Sequence, residues 1–286
     1  MDSNSALYLS IALAFIMWGM GLSLVVDDFR RVVKFPKAIF VGLLNQILLL
    51  PFVAFILLNI FNVAPEIAIG MMILAACPGG PTTNLLTHLA DGDTALSITL
   101  TAINSFVTLV TIPFIVNYAL IYFANEGQIV QLDIIDTIKT IFLITLIPVI
   151  LGMIINHYFP SFSEKMSKPV KIISAILLTL IMLGILYGER ERVPEYLKQL
   201  GIVAFIVNIS TMAIGYFSSR LFRLSDKQSI TIAIESGIQN GTLAIAIAIG
   251  LLGNPTYAIA PVVYSLYMFF TAGGVCLLYT SPSPRD

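Results

Sequence analysis

Residues Glu235–Gly241 have the sequence ESGIQNG, and this short polar segment interrupts a long apolar run. Glu235 is the only carboxylate inside any long apolar run of the chain. A charge near the centre of a bilayer costs about 2.5–3.5 kcal/mol on insertion scales, so such residues mark functional sites. Because Gly237 and Gly241 allow the backbone to unwind, the segment predicts a broken membrane helix that carries a lone acid.

The rest of the chain is strongly apolar. Of its 286 residues, 58% are hydrophobic and 11% are charged, and the mean hydropathy is +0.94. A soluble domain carries about 25% charged residues, so this composition indicates an all-α membrane protein with several spans. The net charge of -1 does not indicate a nucleic-acid partner, and two cysteines are too few for a disulfide framework. The predicted surroundings are therefore the lipid bilayer.

Nine apolar runs are long enough to cross the hydrocarbon core as helices. The N-terminus lacks the basic region of a cleaved signal peptide, so the first run is counted as a span. The predicted spans are Leu7–Val26, Ala38–Phe61, Ile67–Leu89, Thr94–Phe123, Ile138–Tyr158, Val170–Tyr187, Gly201–Ser219, Gln228–Leu252 and Tyr257–Tyr279.

The basic residues of the loops predict the orientation. Ten lysines and arginines lie in the loops after spans one, five and seven, and four lie on the opposite side. Cytoplasmic loops carry the excess of basic residues, so we expect an outside N-terminus and a cytoplasmic C-terminus in the plasma (inner) membrane. The loop between spans six and seven runs against this trend, because Arg190, Arg192 and Lys198 then lie outside.

A second break lies in the third span, at Cys77–Asn84, with the sequence CPGGPTTN. Pro78 removes a backbone donor, and the glycines that follow it loosen the helix. Unwound backbone at this depth must be buried in protein or line a wet cavity. The alternative interpretation is a proline kink whose threonine and asparagine side chains bond neighbouring helices.

Glu235 has no basic partner in the sequence, because no Lys, Arg or His lies in the middle of any span. A bound Na⁺ is a suitable counterion, since hard cations prefer oxygen ligands and the amides of Gln239 and Asn240 lie nearby. The alternatives are a protonated structural glutamate and a glutamate that titrates in proton-coupled transport. An intramembrane hydrolase is not expected, because the sequence has no metal-binding histidine pair and no Ser/Lys dyad.

Span four carries a polar stripe, in which Ser97, Thr101, Asn104 or Ser105, and Thr108 recur at helical spacing on one face. The stripe predicts ion ligands or, alternatively, a packing face of small residues. Gln46 in span two has the same two interpretations.

The two breaks lie five spans apart, and this odd offset predicts two inverted repeats of four and five spans. The segment 276–286 resembles a translated sequencing-library adapter, so we expect the natural protein to differ after about Val275. A clean genomic sequence that encodes the same C-terminus would contradict this hypothesis.

Together, CPGGPTTN and ESGIQNG resemble the motifs of the bile acid:sodium symporter family. The segment Trp18–Leu22 before a basic loop and Pro65–Ala68 ahead of the first break also fit, and the resemblance covers residues 12–274. It implies core and panel domains, with two discontinuous helices that cross in the core. The panel would comprise residues 1–36 and 125–188, and the core residues 37–124 and 189–275.

The resemblance also implies two sodium sites and a substrate cavity between the domains. Asn240 and Thr82 would face the substrate. The family often has Thr-Ala-Ser-Asn where this chain has Pro81–Asn84, so Thr83 replaces a serine and keeps its hydroxyl, whereas Pro81 alters the local backbone. One sodium site would use Thr83, Asn84, Ser97, Thr101 and Glu235, and the other Gln46, Glu235, Gln239 and backbone oxygens near Ser236 and Ile238.

The residues and the resemblance together predict a sodium-coupled symporter of small organic anions, such as bile acids or other carboxylates, that works by alternating access. The alternative is a proton-coupled or sodium-independent organic anion transporter of the same fold. In either case the chain is predicted to be a transporter and not an enzyme.

Overall fold

The structure is a computed structural model that describes residues 3–124 and 133–280. It is built from helices, numbered here α1 to α12 in chain order. Most of the helices coincide with the predicted apolar runs, because a backbone surrounded by lipid must bond within its own segment. The helices are α1 (Ser3–Gly21), α2 (Val26–Arg30), α3 (Pro36–Phe61), α4 (Pro65–Ala75), α5 (Pro81–Leu89), α6 (Thr94–Phe123), α7 (Ile134–Tyr158), α8 (Pro160–Gly188), α9 (Val193–Leu221), α10 (Asp226–Gly237), α11 (Gly241–Leu251) and α12 (Ile259–Thr280).

Six helices of the described residues are long and apolar enough to cross a membrane. A seventh span is added if α1 and the segment Val26–Val33, which are bent by 75° from each other, count as one. The prediction of nine spans is therefore not confirmed by length and composition. The two predicted broken spans correspond to the pairs α4–α5 and α10–α11, whose members are individually short.

The helix ends differ from the apolar runs where charged residues continue a helix. The fourth predicted span, Thr94–Phe123, matches α6 at both ends. In contrast, α8 begins at Pro160, ten residues before its predicted span, and includes Lys165 and Lys168. Lysine and glutamate are good helix formers, and proline fits the first turn, so the helix extends beyond the hydrophobic run.

Both breaks are shorter than the motifs that predicted them. The first motif was expected to be unwound over 77–84, but α5 already begins at Pro81, because proline is well suited to the first turn of a helix. The second was expected over 235–241, but α10 continues to Gly237 and α11 begins at Gly241. Residues 76–80 and 238–240 therefore form the two breaks, and Glu235 lies in a helical turn.

The two breaks lie against each other. Pro78 and Gln239 form an antiparallel bridge, and the Asn240 backbone N–H donates to the Cys77 carbonyl over 2.9 Å. A Cβ atom on Gly79 would lie 2.6 Å from the Ile238 carbonyl oxygen, so this close approach requires glycine. Each break thus bonds backbone groups of the other, which are costly to leave unpaired away from water.

Three helices contain π-helical segments: α3 at Asn45–Leu49, α7 at Phe142–Leu146 and α11 at Ile247–Leu251. The first two end two residues before a proline, Pro51 or Pro148. A proline removes a backbone donor and its ring clashes with the preceding turn, which favours a locally widened helix. Gln46 and Thr145 lie in these widened turns.

Close packing of small residues brings helix backbones together at two places. At the first, α1 packs on α7 and α8, and the Gly21 Cα faces the Val149 carbonyl closely enough to exclude a side chain. At the second, α9 packs along α10, where a Cβ atom on Gly215 would meet the Ile232 carbonyl oxygen at 2.8 Å. Small residues allow helix backbones to approach in membranes without a hydrophobic driving force.

Candidate functional site

Glu235 lies in the last turn of α10 and is fully buried. Both of its carboxylate oxygens accept hydrogen bonds from other helices. The Ser97 hydroxyl of α6 donates to Oε1 over 2.5 Å, and Gln46 Nε2 of α3 donates to Oε2 over 2.8 Å. Gln46 Nε2 also reaches the Glu235 carbonyl oxygen at 3.0 Å. Three segments far apart in sequence therefore meet at one carboxylate.

No cation of the protein contacts this carboxylate within the described ranges. None of the ion pairs there includes Glu235, and no lysine or arginine is among the buried residues. Nor do the described residues bring three or more of His, Cys, Asp and Glu together. The site is thus one carboxylate among neutral hydroxyl and amide groups, a donor set that suits a monovalent hard cation better than a transition metal.

Side chains from α5 and α6 form one part of the site. Asn84 Oδ1 accepts a hydrogen bond from the Thr101 hydroxyl over 3.2 Å and lies 2.8 Å from the Ser97 hydroxyl oxygen, whose single proton can go to Asn84 or to Glu235. The Thr83 and Thr101 hydroxyl oxygens are 3.5 Å apart, and Thr83 also donates to the Gly80 carbonyl over 2.7 Å. The structure therefore brings together all the side chains predicted for the first sodium site.

The residues predicted for the second sodium site are joined less directly. Gln239 Nε2 donates to the Ser236 carbonyl over 2.9 Å, and its Oε1 is buried without a partner among the described residues. The Ser236 hydroxyl donates to the Ile232 carbonyl, so it is already engaged within α10. The unpaired amide oxygen of Gln239 is a group that a cation could bind.

A small cavity of about 20 Å³ lies between the breaks and the helices α1, α6 and α7. A cavity needs about 10–15 Å³ to hold one water molecule, so this one has room for little more. Its apolar wall includes Met17, Met20 and Val149. Its polar wall consists of Thr101, Asn104, Ser105, Thr108, Thr145 and Asn240.

The two residues predicted to face a substrate differ in position. Asn240 lines the cavity, and its Oδ1 accepts from the Leu243 backbone N–H over 3.1 Å, which caps α11. Thr82 is partly buried at the start of α5 but does not line this cavity. The structure therefore brings only Asn240 to the cavity wall.

The predicted ligand set omitted Asn104, although the polar stripe of span four had indicated it. Asn104 Nδ2 donates to Gln46 Oε1, and Asn104 Oδ1 is buried without a partner among the described residues. Asn104 therefore lines the cavity and also contacts Gln46, which is hydrogen-bonded to Glu235.

Two further residues that hydrogen-bond to the second break were not predicted from the sequence. Asn208 Nδ2 and the Tyr264 hydroxyl both donate to the Gly237 carbonyl, over 2.7 and 2.9 Å. These residues come from α9 and α12, where an asparagine and a tyrosine inside apolar runs were the only signal. Their bonds hold the carbonyl that ends α10.

Comparison with known proteins agrees with this architecture. The model of the Sodium Bile acid symporter family matches residues 10–195. A relative from Bacillus subtilis, the uncharacterized sodium-dependent transporter YocS, is 32% identical over 91% of this chain and 79% of its own. The human ileal sodium/bile acid cotransporter is 31% identical over 84% of this chain and 68% of its own.

A solved structure, the sodium proton antiporter MjNhaP1 from Methanocaldococcus jannaschii, has a similar fold. The TM-score is 0.55 at 14% identity, over 98% of this chain and 88% of that one. A likeness at this identity concerns the fold alone.

The probable sodium/metabolite cotransporter BASS2 of Oryza sativa is 29% identical over 87% of this chain, and the match spans only 58% of the rice protein. BASS1 of Arabidopsis thaliana is likewise matched over 62% of its length, at 30% identity. The chain thus spans about three fifths of these plant relatives. Because the family model covers well over half of this chain and YocS aligns with nearly all of it, the chain belongs to the sodium bile acid symporter family, whose members are transporters and not enzymes.

Proposed function

We propose that the chain is a sodium-coupled symporter of small organic anions that works by alternating access. The observation that carries the proposal is the fully buried carboxylate of Glu235, which neutral oxygen-bearing side chains surround at the junction of the two breaks. A buried charge must be compensated, and a cation that binds and leaves compensates it while coupling the site to a gradient.

Two sodium ions would bind at this junction. One would be held by Thr83, Asn84, Ser97, Thr101 and Glu235, whose side chains already form one hydrogen-bonded cluster. The other would be held by Gln46, Gln239, Glu235 and the backbone oxygens near Ser236 and Ile238. The neutral hydroxyl and amide oxygens around Glu235 suit a metal ion better than a proton, which favours sodium as the coupling ion.

The substrate would bind where the cavity now lies. Helices α5 and α11 both begin at the breaks, so their positive ends and the Asn240 amide are suited to an anionic group. The apolar wall formed by Met17, Met20 and Val149 would contact the hydrocarbon part, and Thr82 would take part once the cavity widens. A small carboxylate with an apolar body would match the chemistry of both walls once the cavity widens beyond its present 20 Å³.

Transport would require the two groups of helices to move relative to each other. We assign residues 1–36 and 125–188 to a panel, and 37–124 and 189–275 to a core that contains both breaks. The cavity lies between α1 and α7 of the panel and the breaks of the core, so a rocking motion would open it to alternate sides. The N-terminus would lie outside and the C-terminus in the cytoplasm of the plasma (inner) membrane.

Uptake into proteoliposomes tests the proposal. The purified full chain is reconstituted, and radiolabelled carboxylates, among them cholate and 2-oxobutanoate, are presented at fixed pH with an inward gradient of either Na⁺ or K⁺. We expect accumulation of at least one carboxylate with the Na⁺ gradient and none with K⁺. Equal uptake under both gradients, or uptake that follows an imposed pH gradient instead, would contradict sodium coupling.

A further inference from the structure

Asn104 connects the cavity to the carboxylate of Glu235 through a single intervening side chain. Asn104 Nδ2 donates to Gln46 Oε1, and Gln46 Nε2 donates to Glu235 Oε2 over 2.8 Å. Both amides are almost completely buried, with exposed fractions of 2% for Asn104 and 1% for Gln46. Asn104 also lines the cavity that Asn240 lines. A change at Glu235 can therefore reach the cavity wall through two amide groups.

The orientation of the Gln46 amide matters for a cation at Glu235. In the structure this amide presents its nitrogen to Glu235 and its oxygen to Asn104. Hard cations are bound by oxygen, and a glutamine side chain has oxygen at only one end of its amide. Ligation of a cation by Gln46 therefore requires its amide to rotate by half a turn, so that Oε1 faces Glu235.

That rotation has a consequence for Asn104. The rotation puts Gln46 Nε2 where Gln46 Oε1 now accepts the hydrogen bond from Asn104 Nδ2. Two buried N–H donors would then face each other. Asn104 Oδ1 is buried and accepts no hydrogen bond from the described residues, so it is the acceptor that the rotated Gln46 needs. The two amides are expected to rotate together, because a hydrogen bond forms between them only when the nitrogen of one faces the oxygen of the other.

On the basis of the proposed function, we propose that Asn104 is a positioning residue that couples sodium at Glu235 to the anionic substrate. When Gln46 Oε1 binds sodium, Asn104 presents Oδ1 to Gln46 and turns its two N–H donors away from it, toward the cavity. A carboxylate in the cavity then gains a donor that it lacks in the other orientation. Coupling of this kind is reciprocal, so the substrate also favours the sodium-binding orientation of Gln46.

The test measures coupling and not activity alone. Initial rates of cholate and 2-oxobutanoate uptake into proteoliposomes give the apparent KM of each probe at low and at saturating Na⁺. The ratio of the two KM values is the coupling ratio. For wild type we expect a ratio of about fivefold or more, in the usual range of coupling between sites. For Asn104→Ala we expect a ratio within about twofold of one, because the substitution interrupts the relay, the hydrogen-bonded series Glu235–Gln46–Asn104.

Ser105→Ala is the matched control. Ser105 neighbours Asn104 on α6 and lines the same cavity, but its hydroxyl donates to the Thr101 carbonyl over 2.9 Å and does not contact Gln46. We expect loss of this hydroxyl to change the KM of each probe by the same factor at low and saturating Na⁺, and so to leave the coupling ratio unchanged. Asn104→Ser keeps a group that both donates and accepts, so its ratio should lie between those of wild type and Asn104→Ala.

The outcomes separate the relay from the proposed function. A wild-type protein whose uptake of both probes ignores Na⁺ overturns the proposed function and the relay with it. Sodium-dependent wild-type uptake with an unchanged ratio in Asn104→Ala and Asn104→Ser overturns the relay alone. Equal loss of the ratio in Ser105→Ala and Asn104→Ala also overturns it, since packing of the helix face would then explain both.

Discussion

Glu235 shows how a single side chain can be accommodated at membrane depth without a fixed counterion. Its carboxylate is fully buried and is bonded by a hydroxyl and an amide that come from α6 and α3. Neutral donors lower the cost of desolvating the charge but do not neutralise it. In the proposed mechanism a mobile cation supplies the neutralising charge that these donors cannot.

Replacement of Glu235 tests this account at the scale of one residue. Glu235→Gln keeps the shape of the side chain and removes its charge, so the sodium ligands lose their only anionic member. We expect Na⁺-dependent uptake to fall to background while the variant elutes as wild type in size-exclusion chromatography.

Glu195→Gln is the control, because Glu195 is an exposed carboxylate at the start of α9. It should transport as wild type does. Full transport by Glu235→Gln would remove Glu235 from its proposed role.

The hydroxyl of Tyr264 permits a second test at this scale. It donates to the Gly237 carbonyl over 2.9 Å, at the buried end of α10. Tyr264→Phe removes this donor and should reduce the free energy of unfolding by about 1 kcal/mol, the usual contribution of one hydrogen bond. Denaturant or thermal unfolding in detergent measures the change.

Tyr267→Phe is the matched control on the same helix, since the Tyr267 hydroxyl makes no hydrogen bond within the described part of the chain. If Tyr267→Phe destabilises the protein as much as Tyr264→Phe, the bond to Gly237 does not explain the effect.

At the scale of elements, the two breaks stabilise each other. An unwound segment in a bilayer leaves backbone N–H and C=O groups without partners. The bridge between Pro78 and Gln239 gives partners to backbone groups of both breaks. The bridge also brings the start of α5 beside the end of α10, so Thr83 and Asn84 come close to Glu235. The close approach of the breaks is therefore a condition for the site.

Gly79→Ala tests this condition. The new methyl group would lie 2.6 Å from the Ile238 carbonyl oxygen and closer still to the Thr83 side chain, so the breaks must separate. We expect a loss of about 1–3 kcal/mol in stability, as for overpacked cores, and a weaker dependence of uptake on Na⁺. Unfolding and uptake assays measure the two effects.

Gly80→Ala is the control at the next residue, because the atom nearest to its added methyl group is Asn240 Nδ2, at an ordinary 3.6 Å. Comparable loss in both variants would mean that the backbone conformation, and not the contact between the breaks, requires glycine there.

For the whole molecule, the proposed orientation places the two ends of α8 on opposite sides of the membrane. Lys168 lies in the third turn of α8, and Glu191 lies just beyond its C-terminal end; both are exposed. At 1.5 Å per residue, α8 from Lys168 to its end at Gly188 is about 30 Å long, the thickness of the hydrocarbon core.

Cysteine labelling tests the orientation. In a Cys276→Ser background, with Cys77 buried, a membrane-impermeant maleimide applied to intact cells should label Glu191→Cys. Lys168→Cys should react only after the membrane is permeabilised. The reverse pattern would invert the proposed topology, and labelling of both positions in intact cells would contradict a span between them.

The agreement between sequence and structure follows from the physics of each feature. The apolar runs predicted most of the helices, and for Thr94–Phe123 they predicted both ends correctly. A backbone in lipid must form its hydrogen bonds within its own segment, so an apolar run of this length is helical. The extension of α8 to Pro160 was not predicted, because the apolar run ends at the first charged residues whereas the helix continues through them. The clustering of Thr83, Ser97 and Glu235 was predicted from the resemblance. The polar stripe of span four indicated Asn104 without assigning it a role, and no motif marked Tyr264.

The order of residues along the chain was enough to predict the all-helical class and the positions of the two interruptions, and it singled out Glu235 as a candidate site residue. These features depend on local composition and on the cost of exposing polar groups to hydrocarbon. The lengths of the breaks, their pairing and the orientations of the Gln46 and Asn104 amides depended on the packed structure. They arise from contacts between segments that are tens to hundreds of residues apart, and no local pattern records which donor will meet which acceptor.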